Sequence, residues 1–289
     1  MRLPAGDTMN GKICLVTGGS SGIGRVTARV LAERGAEVIL VGRDAAKARG
    51  AAEEIHSLTG RPVSVMLADL SSLEETRRLA AEVRAGFPKL DVLINNAGNL
   101  FTSRAITPEG HERTWVLNHL SPLLLTLELL PLLKAAAPSR IVNVNSDSHA
   151  WGSIDLTEMR DVPRFRGLKA YANAKLASMM ATFAMARRLD GTGVTVNCLH
   201  PGFVSTGIGQ EMHGALRFLQ NVLLEPLRIS PEKGALTTLH LACAKEVAGV
   251  SGGYFVKCRQ RRPGCGIASD VAAQEQVWEA SLGMLGMEW

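Results

Sequence analysis

The sequence predicts an α/β fold in a single domain, a doubly wound parallel sheet with helices on both faces. Short apolar runs alternate with helical runs, a glycine-rich turn follows the first apolar run, and 289 residues suit one large α/β domain. Hydrophobic residues make up 46% of the chain and charged residues 20%, as in ordinary globular proteins. We assign residues 1–11 to an N-terminal tail and residues 12–289 to the domain.

The N-terminal tail is short and polar, so we expect neither a secretory signal nor a membrane anchor and predict a cytoplasmic protein. The most apolar run, 115–133, contains Asn118, His119, Glu128 and two prolines. These residues favour a buried helix over a membrane span.

The five cysteines are scattered, odd in number and without a C-x-x-C pair. We expect reduced thiols, no disulfide framework and no metal site. The net charge of +5 is spread along the chain, and Arg259, Arg261 and Arg262 form its one local basic cluster. We interpret that cluster as a solvated loop and expect no nucleic-acid partner.

The first predicted strand, 12–17, leads directly into a glycine turn and a helix that runs to Arg34. Glycines there let the backbone approach a pyrophosphate, and the helix N-terminus meets its charge. A strand, glycine turn and helix in this order indicate dinucleotide binding in a Rossmann-type fold. The turn residues assigned to the cofactor are Gly18, Ser20, Ser21, Gly22, Ile23 and Gly24.

The second predicted strand, 37–41, ends at Gly42, Arg43 and Asp44. NAD enzymes usually place a carboxylate at this point to bind the ribose 2′-hydroxyl, and Gly42 occupies it here. The Arg43 guanidinium can hold a 2′-phosphate through two charge-assisted hydrogen bonds, so NADP (NADPH) is predicted over NAD. Asp44 is expected to cap the helix that starts at Ala45.

Two further strands, 63–67 and 92–94, also end in polar or small residues. Asp69 follows the first of them, and it either accepts a hydrogen bond from the adenine amino group or prepares the helix 73–87. Residues 95–98 follow the second, at the strand edge where ligands bind.

A long apolar helix is expected from about Glu109, with Asn118 as a lone amide inside it. A buried amide needs partners, so Asn118 is either a satisfied core residue or the holder of a water that carries protons. The fifth strand, 140–146, places Ser146 at the same edge of the sheet as the earlier strand ends.

Tyr171 and Lys175 stand four apart at the start of a helical run that continues to Arg188. This spacing places the two side chains on one helix face, where an ammonium would lower the pKa of the phenol and ready it for proton transfer. The same spacing also occurs on ordinary helix surfaces.

Taken in order, these motifs resemble the short-chain dehydrogenase/reductase family over residues 12–289. The matching residues are Thr17, Gly18, Gly22, Gly24, Asn95, Asn96, Ala97, Gly98, Asn118, Ser146, Tyr171, Lys175, Pro201 and Gly202. The chain looks most like the retinol dehydrogenase group, through residues 116–120, the 25 positions between Ser146 and Tyr171, and the tail 253–258. Asn145 stands where that group usually has a serine.

The resemblance implies a catalytic set of Asn118, Ser146, Tyr171 and Lys175. In it Tyr171 is the acid/base, Ser146 bonds the reacting oxygen, and Lys175 lowers the tyrosine pKa and binds ribose. Asn118 completes a proton relay. The further cofactor contacts that it implies are Asp69, Leu70, Asn96, Ala97, Gly98, Tyr171, Lys175, Pro201, Gly202, Val204 and Thr206. We give His200 a packing role because Tyr171 already fills the acid/base role.

After the sixth strand, 194–199, the run 207–228 carries apolar residues on roughly one helical face. It is either a lid over the site or a surface helix. A helix at 231–245, a strand at 254–256 and a helix at 271–285 complete the predicted sheet.

The sequence therefore predicts hydride transfer between NADP(H) and an alcohol, ketone or aldehyde, most simply the reduction of a lipophilic carbonyl substrate. The alternatives are reduction of a conjugated double bond and a non-catalytic nucleotide-binding sensor. A homodimer is expected, because the helices at 115–133 and 172–186 are apolar nearly all round and a second copy would cover their outer faces. The competing expectation is a monomer in which the chain after Gly207 covers them.

Overall fold

A computed structural model describes residues 8–155, 165–202 and 229–289. These residues build one eight-stranded sheet in the order β3-β2-β1-β4-β5-β6-β7-β8, parallel except for the antiparallel last pair. The strands are β1 Ile13–Thr17, β2 Glu37–Gly42, β3 Val63–Leu67, β4 Val92–Asn95, β5 Ser139–Val144, β6 Val194–His200, β7 Tyr254–Val256 and β8 Arg259–Arg261.

Helices cover both faces of the sheet, as the sequence predicts. They are α1 Gly22–Glu33, α2 Ala45–Thr59, α3 Leu73–Gly86, α4 Arg113–Ala135, α5 Gly167–Arg188, α6 Pro231–Cys243 and α7 Val271–Leu285. One hydrophobic cluster joins the sheet to α3, α4, α5 and α7, and a second joins its other face to α1, α2 and α6. The doubly wound α/β class is confirmed.

The central strands are apolar because helices bury them on both faces. Every residue of β1 is buried, and β1 pairs with β2 on one side and with β4 on the other. The chain order reverses between β1 and β4, and ligands bind in doubly wound folds at the carboxyl edge of this switch point. The fold therefore places the glycine turn after β1 in the expected crevice.

Three predicted boundaries need correction. Strand β5 ends at Val144, two residues before Ser146, and α5 begins at Gly167, four residues before Tyr171. Helix α4 begins at Arg113 rather than near Glu109, because the Glu112 carboxylate caps it by accepting from the Trp115 N–H.

Glu109 instead reaches the preceding helix. Its Oε1 accepts from the backbone N–H groups of Leu73 and Glu74 at 2.9 and 3.2 Å. It therefore satisfies amides at the N-terminus of α3, which have no partner within their own helix.

The arginine cluster at 259–262 was expected to be a loop, and this expectation was wrong for Arg259–Arg261, which form the exposed strand β8. Lys257 and Cys258 link β7 to β8, with φ of 52° and 60°. Positive φ at both residues of a two-residue turn matches the strand twist of a tight hairpin. Lys-Cys lacks the Asn-Gly or Asp-Gly signal of such turns, so the sequence did not show it.

The apolar helix Arg113–Ala135 is long and apolar enough to cross a membrane by length and composition. In its most apolar window, 78% of the residues are buried inside the structure. The helix lies among α3, α5 and the sheet, which agrees with the predicted buried helix.

The C-terminal helix α7 covers much of the face that we expected a second copy to cover. It packs along α5, where the Arg188 guanidinium meets the Glu275 carboxylate at 2.5 Å and lies 4.5 Å from the Trp278 ring centroid. On α4, His119 Nε2 hydrogen-bonds Ser281 at 2.7 Å. The apolar outer faces of α4 and α5 were the reason for expecting a homodimer. Helix α7, which follows Gly207 in the chain, covers part of these faces, so this reason no longer applies there.

Candidate active site

The glycine turn after β1 requires glycine at specific positions. Gly18 and Gly22 have φ of 64° and 53°, in the left-handed region that favours glycine. A Cβ on Gly24 would lie 2.2 Å from the Gly18 carbonyl oxygen, so no larger residue fits at the start of α1. Because these glycines have no side chains, a pyrophosphate can approach the backbone N–H groups of the turn and of the start of α1.

Thr17, which the sequence analysis placed only in a motif, ties the turn to the end of β4. Its hydroxyl accepts from the backbone N–H groups of Asn96 and Ala97 at 2.9 and 3.0 Å. The Asn96 amide in turn donates to the Thr17 carbonyl at 2.8 Å. These bonds bring Asn96 and Ala97 beside Gly18, as expected. The sequence feature that could have predicted this role for Thr17 is a hydroxyl at the end of a buried strand.

At the edge of the site beside β2, Arg43 is exposed at the end of its strand. The Asp44 carboxylate accepts from the Lys47 N–H at 3.0 Å, so it caps α2 as predicted. Asp69 Oδ1 accepts from the Ser71 backbone and hydroxyl at 2.9 and 2.7 Å. Of the two roles left open for Asp69, this geometry favours preparation of the helix start, and Leu70 beside it is buried.

Tyr171 and Ser146 meet at the carboxyl end of β5. Tyr171 is buried, and the Ser146 side chain lies near enough to its phenol to influence its pKa. Burial disfavours the phenolate and raises the pKa of Tyr171 to about 12, although the nearby Ser146 side chain acts in the opposite direction. Ser146 Oγ also accepts from the Ser148 N–H at 3.2 Å, which fixes the loop after the strand.

Lys175 lies one helical turn after Tyr171 and is also buried. Its Nζ donates to the Val144 carbonyl at 3.0 Å and lies 5.7 Å from the Tyr171 ring centroid. Desolvation lowers the pKa of Lys175 to about 8. The four-residue spacing therefore brings the Lys175 ammonium near the Tyr171 ring, as predicted. The pKa of Tyr171 is nevertheless raised rather than lowered, because desolvation of the buried phenol is the largest effect on it.

Asn118 lies in a π-helical segment of α4, Val116–Leu120, which the sequence did not reveal. Its amide nitrogen donates to the carbonyls of Asn99 and Thr114 at 2.8 and 2.9 Å. Its buried Oδ1 finds no hydrogen-bond partner among the residues that the structure describes. An unsatisfied buried oxygen of this kind marks a place for a water or a ligand group.

Gly98 borders that unsatisfied oxygen. A Cβ on Gly98 would lie 2.8 Å from Asn118 Oδ1 and 3.3 Å from Lys175 Nζ. Because glycine stands there, the amide oxygen and the ammonium face a common small space. The structure therefore brings Asn118, Lys175 and Gly98 together from three different elements.

His200 and its neighbours form the wall beyond Ser146. The Asp147 N–H donates to His200 Nδ1 at 3.2 Å, and His200 Nε2 lies 3.2 Å from the Asp147 carboxylate. Burial lowers the pKa of His200, which suits the neutral packing residue that we predicted. Gly202 has φ of 95° after Pro201. Val204 and Thr206, together with the run 207–228, lie outside the described residues.

Comparison with known proteins places the chain in a family. A family model described as short chain dehydrogenase matches residues 12–216. Retinol dehydrogenase 14 of Mus musculus is 39% identical over 96% of this chain and 87% of its own length. Retinol dehydrogenase 13 of Homo sapiens is 39% identical over 99% of this chain and 88% of its own length.

Solved structures agree with this assignment. A crystal structure of an uncharacterized protein from Mycobacterium paratuberculosis superposes with a TM-score of 0.80 at 29% identity, covering 100% of this chain and 98% of that one. The RhlG/NADP active-site complex of Pseudomonas aeruginosa gives 0.70 at 28% identity, over 86% and 95% of the two chains. The chain therefore belongs to the short chain dehydrogenase family and is an oxidoreductase that acts on alcohol or carbonyl groups with a nicotinamide cofactor.

Proposed function

We propose that this protein is an NADPH-dependent carbonyl reductase that converts lipophilic ketones or aldehydes to alcohols. The observation that carries the proposal is the burial of Tyr171 beside the Ser146 side chain, with Lys175 Nζ 5.7 Å from the Tyr171 ring centroid. A phenol and a serine hydroxyl side by side can both bond one carbonyl oxygen. The glycine turn and the space beside Gly98 fit a dinucleotide, which supplies the hydride when bound.

Tyr171 acts as the general acid. A phenol whose pKa is about 12 is fully protonated at neutral pH, and it can donate that proton as negative charge develops on the substrate oxygen. The Ser146 hydroxyl donates a hydrogen bond to the same oxygen and holds it in place.

Lys175 and Asn118 would help to restore the proton that Tyr171 gives to the substrate oxygen. The Lys175 ammonium donates to the Val144 carbonyl and has further N–H groups for a ribose hydroxyl. Asn118 Oδ1, which has no partner in the described part of the chain, is placed to accept from a water in the space that it shares with Lys175. Such a water would pass protons from solvent toward Tyr171.

NADP is favoured over NAD by charge. Arg43 stands exposed after β2, where a 2′-phosphate would be bound, and Gly42 leaves no carboxylate to repel it. Two solved relatives, from Pseudomonas aeruginosa and Beutenbergia cavernae, are described with NADP. In this proposal Gly18 to Gly24 hold the pyrophosphate, and the expected nicotinamide contacts are Pro201, Gly202, Val204 and Thr206.

A lipophilic substrate is supported by the retinol dehydrogenase names of the relatives. The five free cysteines suit a reducing compartment, which supports a cytoplasmic site of action. A homodimer would need a surface other than the one that α7 covers, so a monomer is the simpler assembly.

A panel of ketones, aldehydes and enones tests this function. The purified protein would be incubated with each compound and with NADPH or NADH, and the loss of nicotinamide absorbance recorded. We expect turnover with lipophilic ketones or aldehydes and NADPH. Turnover of the enones alone would support double-bond reduction, and tight NADPH binding without any turnover would support the sensor.

A further inference from the structure

Asn145 joins the backbones of two proposed catalytic residues. Its side chain is only 3% exposed, directly after β5. The amide oxygen accepts from the Ser146 N–H at 2.8 Å, and the amide nitrogen donates to the Lys175 carbonyl at 3.0 Å. Because one end must accept and the other must donate, the two bonds fix the orientation of the amide.

The surrounding bonds make this connection rigid. The Asn145 N–H donates to the Leu199 carbonyl at 2.7 Å, which continues the alignment with β6 beyond the end of β5. Lys175 Nζ donates to the Val144 carbonyl at 3.0 Å. Residues 144 and 145 therefore contact Lys175 at the tip of its side chain and at its backbone, which closes a small ring between β5 and α5.

A serine at this position could not make the same connection. Its single hydroxyl lies one bond from Cβ, whereas the asparagine amide presents a separate donor and acceptor one atom farther out. The amide link between Ser146 and Lys175 therefore requires a side chain with a separate donor and acceptor at position 145.

We infer that Asn145 is a positioning residue, which sets the spacing between Ser146 and the Tyr171–Lys175 face of α5 for catalysis. The inference rests on the proposed function. Asn145 does not reach the reacting atoms, and it acts by holding the Ser146 N–H and the Lys175 carbonyl in register. Small displacements between catalytic groups reduce turnover strongly, by up to about 100-fold for 1 Å.

The test compares Asn145→Ser with the matched control Asn143→Ser. Asn143 lies two residues earlier on β5, and its side chain bonds Asn95 and Thr182 rather than a catalytic residue. We expect Asn145→Ser to lower kcat for ketone reduction by about 10- to 100-fold. The control should lower the unfolding temperature and leave kcat per folded protein unchanged.

The pH profile of kcat/KM gives a readout that a purely structural role would not move. Burial lowers the pKa of Lys175 to about 8, so the wild-type profile should fall above that pH as the ammonium is lost. A loosened Lys175 is better solvated, so in Asn145→Ser this limb should move to higher pH. An unchanged profile together with wild-type kcat would overturn the inference.

Two further measurements keep the test decisive. Asn145→Ala removes both amide bonds without burying a new polar group, so it replaces the serine variant if that variant does not fold. Should the wild type reduce no carbonyl, the proposed function fails, and hydrogen exchange of the Ser146 amide still tests the link. We expect faster exchange in Asn145→Ser than in Asn143→Ser, and equal protection in both would contradict it.

Discussion

The two ends of the site are built on different principles. At the end of β5 the side chains of Tyr171 and Lys175 are buried, and backbone carbonyl and amide groups hold their surroundings in place. At the end of β2 the side chains of Arg43 and Asp44 are exposed. Burial shifts pKa values and makes small displacements costly, whereas exposed charges select a ligand by attraction and are screened by salt. Chemistry and cofactor choice should therefore respond separately to mutation.

The largest expected effect lies at the buried end. Tyr171→Phe removes the proton donor but keeps the ring, so turnover should fall by about 10²–10⁴-fold. Cofactor affinity, which the exposed end should control, should stay close to that of the wild type. Steady-state kinetics and NADPH titration measure the two quantities.

Tyr254→Phe is the matched control, because the chain has only two tyrosines. The Tyr254 hydroxyl donates to the Asp147 carboxylate at 2.5 Å and lies outside the proposed catalytic set. Most of the activity should survive. Equal losses in both variants would mean that removal of a buried hydroxyl, rather than of an acid, explains the Tyr171 result.

Lys175→Met should separate function from stability at the same end. The folded-state pKa of Lys175, about 8, lies below its ordinary value of 10.5, so burial of the ammonium destabilises the fold below pH 8. The methionine variant should exceed the wild type in free energy of unfolding at pH 7 by up to about 3 kcal/mol. This difference should shrink as the pH rises from 8 to 10.5, while carbonyl reduction is lost.

Denaturant unfolding of both proteins at pH 7 and pH 10 measures this difference. Other buried groups titrate above pH 9, among them Tyr171 and Cys198, and both proteins contain them. Their contributions cancel in the comparison. A methionine variant less stable than the wild type at pH 7 would show that the bond from Nζ to the Val144 carbonyl outweighs desolvation.

At the exposed end, Arg43→Asp should weaken NADPH binding by roughly tenfold or more while changing NADH binding little. The matched control is Arg49→Asp, which makes the same charge change on an exposed residue of α2. Titrations at low and high salt measure the effect, which should shrink as salt screens the charges. Equal weakening of both cofactors would exclude a phosphate contact by Arg43.

The smallest effect concerns Asp44, which caps α2 through the Lys47 N–H. Asp44→Ala should lower the free energy of unfolding by about 1 kcal/mol, and Asp44→Asn should lower it less because asparagine also caps well. Chemical denaturation resolves the pair. Similar stability of all three proteins would mean that the cap contributes little.

The fold followed from the sequence because buried parallel strands read as short apolar runs between helical runs. The proposed catalytic residues came from motif order, and the structure brings Asn118, Ser146, Tyr171 and Lys175 to one edge of the sheet. Other features depend on tertiary contacts that no local pattern encodes. Burial reverses the expected pKa shift of Tyr171, and α7 covers helices that looked free to associate.

Two local features also escaped the sequence. The π-helical segment Val116–Leu120 widens one turn of α4, and it contains no glycine or proline from which the irregularity could be predicted. Asn145 received no role in the sequence-based predictions, since only the fold places its amide against Lys175, 30 positions later. Long-range contacts of this kind decide the function of a residue but leave no periodic signal.

In the proposed function, hydride passes to a carbonyl carbon held by Tyr171 and Ser146. The most direct test supplies NADPH deuterated at both C4 positions and a lipophilic enone that carries a ketone, with mass spectrometry and NMR of the product. We expect deuterium on the carbinol carbon of an allylic alcohol, with little product from Tyr171→Phe. Deuterium on the saturated carbon of a ketone product would contradict it.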